Sequence, residues 1–136
     1  MIDGRTAPYA ALIMRVCLGI LFLMHGGQKL FVFGPAGTAG FFGSLGLPAV
    51  LAYLVIALEI SAGTALILGV YARLAALAGI PVLLGAIFLV HAPLGFFFSN
   101  PGGGWEFPAF WAITCLVQAL LGDGLYALKP TPVRGR

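Results

Sequence analysis

Four long apolar stretches fill most of this 136-residue chain, and in lipid such stretches can satisfy their backbone N–H and C=O groups only as helices or as strands of a closed barrel. The alternating pattern of a barrel strand is absent, which leaves helices. The stretches run approximately from Tyr9 to Phe31, Ala49 to Leu68, Ala72 to Ala92 and Phe107 to Leu128. A span takes about 20 residues, so the length accommodates four spans with short connections and no soluble catalytic domain. Composition agrees: 61% of residues are hydrophobic and 8% charged, against about 25% charged in soluble domains. The expected fold is an all-α, four-transmembrane-helix bundle forming a single transmembrane domain over residues 1–136.

Glycine and proline mark the breaks. Gly34, Pro35, Gly37, Gly40, Gly43, Gly46 and Pro48 follow the first stretch, Gly69 and Arg73 the second, and Ser99 to Gly104 with Pro101 the third. Placing the N-terminus inside puts Arg5, Arg73, Lys129, Arg134 and Arg136 on the cytoplasmic side and leaves Lys29 outside, so both termini are expected to be cytoplasmic. The first stretch is too long in its apolar core for a signal peptide and lacks a small-residue cleavage site, so it is expected to remain in the mature protein. The net charge of +3 is scattered over the span ends, which gives no basic patch for nucleic acid.

An internal repeat appears at an offset of 66 residues between Leu18–Gly37 and Leu84–Gly103. Leu18/Leu84, Gly19/Gly85, Phe22/Phe88, His25/His91, Phe31/Phe97 and Pro35/Pro101 are among its identities. Two helical hairpins of the same orientation would result, although two Leu-, Gly- and Phe-rich helices also align by chance.

Within the apolar stretches stand Arg15, His25, Glu59 and His91. A charge at mid-bilayer costs about 2.5–3.5 kcal/mol on the lenient scales, so such groups persist with a partner, a wet cavity or a task. Arg15, Gly19, Phe22, Gly26 and Lys29 share one helical face, which turns Arg15 inward unless its stem snorkels to the headgroups. Glu59 is too short to snorkel and lies beside Ala52, Ala62 and Gly63 on its face. It either stays protonated or pairs with a cation. Arg15 and His25 both lie within reach of mid-membrane, and the expected partner is Arg15. The functional alternative is a proton-carrying Glu59 paired with Arg15, the candidate catalytic group.

The outer ends gather a second set: His25, Gln28 and Lys29 close the first span, His91 the third, and Trp105 and Glu106 open the fourth. Imidazoles beside a carboxylate and an amide can bind and protonate the polar head of an otherwise apolar ligand. The tail would lie among Phe22, Phe88, Phe96, Phe97 and Phe98. Interfacial His, Trp and Lys also serve as plain anchors. His25, His91 and Glu106 have the ligand types for a metal, but no zinc or iron spacing is present, so none is expected. Cys17 and Cys115 are single and set in apolar helix with no Cys-x-x-Cys, which makes them packing residues. The loops from Gly34 to Pro48 and Ser99 to Trp105 fall on the same side. They could cap the histidine site or dock a partner. Gly79 and Pro81 predict a kink in the third span.

The ordered string Arg15-x-x-x-Gly19, His25-Gly26-x-x-Lys29-Leu30, Gly46-x-Pro48, Glu59, Gly69-x-x-x-Arg73, His91 with Phe96-Phe97, Gly103-x-x-Glu106 and Gly122-x-Gly124-x-Tyr126 resembles the DoxX family of small four-helix membrane proteins. The resemblance implies a bacterial plasma-membrane protein. Its relatives include a subunit of a thiosulfate:quinone oxidoreductase and a partner of a complex handling thiols and superoxide. The chain is thus expected to be a membrane subunit of a quinone-linked redox or thiol and oxidative-stress system, with quinone as its ligand and no covalent cofactor. No flavin, haem or iron–sulfur motif is present, so the electron donor would be a separate redox partner. A non-catalytic scaffold is the alternative, transport a weaker one, and homo-oligomerisation stays open.

Overall fold

The computed structural model describes residues 1–132 and is helical, with no strand among them beyond an isolated bridge between Val70 and Lys129. Helix α1 covers Ala7–Gly27 and continues through a π-helical turn at Gln28–Val32; α2 is a short helix, Pro35–Ser44; α3 covers Ala49–Leu68. Helix α4 covers Ala72–Ala86 and runs on through a π-helical turn, Ile87–His91, and a 3-10 turn, Ala92–Leu94; α5 covers Glu106–Leu121.

Three of these helical stretches are long and apolar enough to cross a membrane: Ala7–Val32, Ala49–Leu68 and Ala72–Leu94. Helix α5 is equally apolar in character but has 16 residues, about 24 Å at 1.5 Å per residue. The expected fourth span to Leu128 is therefore corrected. The helix stops at Gly122, whose φ is 104°. The residues beyond it satisfy their backbone on other helix ends: Leu125 N–H donates to Pro8, Leu128 to Leu68 and Lys129 to Gly69.

Helix α1 lies along α3, and α4 along α5, with α3 also touching α4. The α1–α3 contact is backbone to backbone. A Cβ on Gly19 would sit 2.7 Å from the Gly63 carbonyl oxygen, and one on Gly63 would sit 2.8 Å from that of Gly19, so neither position has room for a side chain. The core comprises Leu18, Phe22, Leu66, Ala72, Ala76, Leu83, Trp111, Ala112 and Cys115. Large apolar side chains such as Ile13, Ile20, Phe88, Phe110 and Leu120 point outward, as a lipid-facing surface requires and a water-facing one would not. Cys17 is exposed and Cys115 buried, and both are free thiols.

Two polar assemblies close the end that carries the N-terminus and the α3–α4 turn. Arg15 is buried and its guanidinium donates to the carbonyls of Leu66, at 2.9 Å, Ile67, at 2.6 Å, and Leu125, at 2.9 Å. It thereby caps the C-terminus of α3, where orphan carbonyls and the helix dipole both favour a cation. Asp123 accepts from the Ala72 N–H at 2.7 Å and from the backbone and hydroxyl of Thr131. It caps the N-terminus of α4 while pinning the chain that follows α5. Arg134 and Arg136, part of the orientation argument, lie outside the described residues.

Candidate functional site

At the opposite end, α1 and α4 finish in π-helical turns, and each turn carries a polar residue: Lys29 in the first, His91 in the second. Such turns insert a residue and re-aim the side chains that follow, and they recur at functional sites. Lys29 reaches back toward α3 and donates to both oxygens of Glu59, at 2.8 and 2.7 Å. The Glu59 side chain is 4% exposed and that of Lys29 21%. Thr38 of α2 donates its hydroxyl to the Lys29 carbonyl at 3.1 Å, tying the short helix to this turn.

The pairing of Glu59 with Arg15 is therefore overturned, and the reason is axial position. A Cβ on Gly26 would sit 3.0 Å from that of Glu59, so Glu59 is level with Gly26. Arg15 is eleven residues earlier, about 16 Å down the axis. Lys29 is under one turn away. The shared face of Arg15, Gly19, Phe22, Gly26 and Lys29 turns both cations toward α3 without choosing between them, and a lysine near a span end reads as an interfacial anchor.

Between α2, α3, α4 and α5 lies a cavity of about 1370 Å³, and its wall contains His25, Lys29, Glu59, His91, Trp105 and Glu106. Most of the remaining lining is apolar, including Phe41, Phe42, Leu45 and Leu47 from the segment after α1 and Phe96, Phe98 and Phe107 from around the second loop. This combination of an apolar body with a few converging polar groups is the usual form of a small-molecule site. Five of the six residues expected from sequence as ligand contacts on the outer side line it. Gln28 does not: it is exposed and points away. Phe22, Phe88 and Phe97, expected along the tail, are also absent from the wall, Phe22 because it packs in the core under Gly79 and Phe88 because it points outward.

The two histidines are held alike. His25 Nδ1 lies 2.9 Å from the Leu21 carbonyl oxygen, one turn back on α1, and His91 Nδ1 lies 2.8 Å from that of Gly103 in the second loop. A carbonyl only accepts, so each Nδ1 carries a proton, and a neutral ring in this tautomer keeps Nε2 as an acceptor. Gly103 can present its carbonyl this way because its φ is +78°, a conformation that suits glycine. Glu106 accepts the Phe98 N–H at 2.7 Å and helps hold the same loop. The His25 ring packs on Trp111 with centroids 4.8 Å apart, and Trp111 also meets Phe22 and Phe107. Trp111 lines the cavity and its buried Nε1 has no acceptor. Sequence reading passed over it, since a tryptophan in mid-helix resembles any other core aromatic. Among the described residues no group of three or more His, Cys, Asp or Glu side chains assembles to hold a metal.

The fold and cavity define a helical integral membrane protein with a ligand-sized chamber at one end. The chain belongs to the DoxX family, whose profile matches residues 10–92, from α1 to the end of the second π-helical turn. It is 34% identical over 133 residues, 98% of this chain and 94% of the relative, to a Bacillus subtilis (strain 168) protein described as "Putative oxidoreductase CatD". No solved structure matches the chain significantly.

Proposed function

We propose that this protein is the membrane subunit of a quinone-linked redox system and binds a quinone-like small molecule in the cavity between α2, α3, α4 and α5. The observation that carries this reading is the placement of His25, His91 and the Lys29–Glu59 pair on the wall of one large apolar chamber. A quinone-type head needs hydrogen-bonding and proton-exchanging groups, and its tail needs apolar volume. The oxidoreductase description of the Bacillus relative supports the same class of chemistry. In this reading α5 is the fourth span, the bundle sits in a bacterial plasma membrane with both termini cytoplasmic, and the cavity opens near the outer face. Glu59 with Lys29, rather than with Arg15, is the proton-handling pair. Electrons reach the ligand from a separate protein, since this chain supplies binding and proton positions only.

Titration of a short-tailed benzoquinone and of its quinol into detergent-purified protein tests the proposal. Saturable binding of either form, weakened roughly tenfold or more in His25→Ala and His91→Ala while Arg15→Ala binds normally, is the expected result. Absence of binding by both forms to a folded wild-type protein would remove the proposal.

A further inference from the structure

Taking the ligand site as read above, we infer that its polar end selects the reduced, hydroxyl-bearing form of the ligand, an aromatic diol, over the oxidised dicarbonyl form. The inference rests on the sense of the hydrogen bonds the wall has left to offer. Both imidazoles spend their Nδ1–H on backbone carbonyls, Leu21 for His25 and Gly103 for His91. The one remaining hydrogen-bonding atom on each neutral ring is Nε2, a lone-pair acceptor. Carboxylates are acceptors too: each Glu59 oxygen takes one bond from Lys29, and Glu106 Oε1 takes one from Phe98, with lone pairs to spare on both residues.

Donors are scarcer. Lys29 directs two N–H bonds at Glu59, which leaves one of its three, and the wall's two indoles, Trp105 and Trp111, contribute one N–H each, that of Trp111 buried without an acceptor. A carbonyl oxygen can only accept. A dicarbonyl head would therefore meet these donors while desolvating the imidazole acceptors with nothing to give them, and a buried acceptor left unpaired is costly. A hydroxyl does both, donating to an imidazole Nε2 and accepting from an ammonium or indole N–H. Sites built around a ligand hydroxyl discriminate strongly against the analogue that lacks it. Two histidines acting as acceptors suit a head with two hydroxyls.

The test is anaerobic calorimetric titration of the wild-type protein with three ligands sharing one short tail: a benzoquinol, its quinone and the quinol dimethyl ether, which keeps the ring and loses both donors. The quinol should bind roughly tenfold or more tightly than either of the others, about 1.4 kcal/mol per tenfold step. His25→Ala and His91→Ala should each narrow that gap chiefly by weakening the quinol. A quinone or a dimethyl ether that binds as tightly as the quinol would overturn the inference and leave the ligand site standing. Failure of all three to bind would overturn both. The wild-type comparison decides even where a histidine variant does not fold.

Discussion

Lys29 and Glu59 meet with both carboxylate oxygens engaged and little exposure on either side, so each is the other's only described ionic partner. Removing one partner of a buried pair leaves an uncompensated charge and costs about 3–5 kcal/mol. Lys29→Met should therefore sharply lower the thermal unfolding temperature in detergent. The double variant Lys29→Met with Glu59→Leu should recover most of that loss, because no charge is then stranded. Arg15 differs in kind, since it bonds to carbonyls from two separate segments. Arg15→Lys keeps the charge but loses the planar fork, and it should destabilise the protein nearly as much as Arg15→Ala. In both variants ligand affinity should stay unchanged, because Arg15 lies at the far end from the cavity. An Arg15→Lys protein as stable as wild type would refute the capping role.

Among the elements, α1 and α3 depend on a contact that tolerates no added carbon. A Cβ on Gly63 would lie 2.9 Å from the Leu23 backbone nitrogen as well as against Gly19, and backbone cannot swing aside. Gly63→Ala should cost about 1–3 kcal/mol by overpacking, measured by thermal unfolding, whereas Gly40→Ala, with open space around it, should be close to neutral. Asp123 offers a second check. It caps α4 through the Ala72 N–H, and Asp123→Ala should cost about 0.5–2 kcal/mol, as lost helix caps do. The helices were legible in the sequence because long apolar runs admit one backbone solution. The π-helical turns and the early end of α5 were not. Both depend on tertiary satisfaction of backbone groups: the stretch after Leu121 is as apolar as a span end, yet it pairs with Pro8, Leu68 and Gly69.

For the molecule as a whole, the gathering of His25, Lys29, His91, Trp105 and Glu106 at one end was readable from their positions at span ends, since antiparallel helices bring alternate ends together. The partner of Glu59 was not, because it depends on the axial register of α1 against α3, which the Gly26 contact sets and no periodicity reveals. Trp111 joined the cavity through packing alone, whereas Phe41 and Phe42 belong to the Gly34–Pro48 segment already expected as a cap over the histidines. A four-span arrangement has a direct consequence. In a Cys17→Ala, Cys115→Ala background, single cysteines at Gly4 and Gly40 should react with a membrane-impermeant maleimide from opposite sides of the membrane, and reaction from the same side would contradict it.

The measurement closest to the central claim is mass spectrometry of small molecules extracted from gently purified wild-type protein and from Gly85→Leu. Gly85 lines the cavity with no neighbour near its missing Cβ, so a leucine there has room at the backbone and takes up ligand volume. The account predicts a quinone-type molecule at near-stoichiometric level in the wild-type extract and its loss from a normally folded Gly85→Leu. An empty wild-type extract, or equal occupancy in the two proteins, would contradict the cavity as the ligand site.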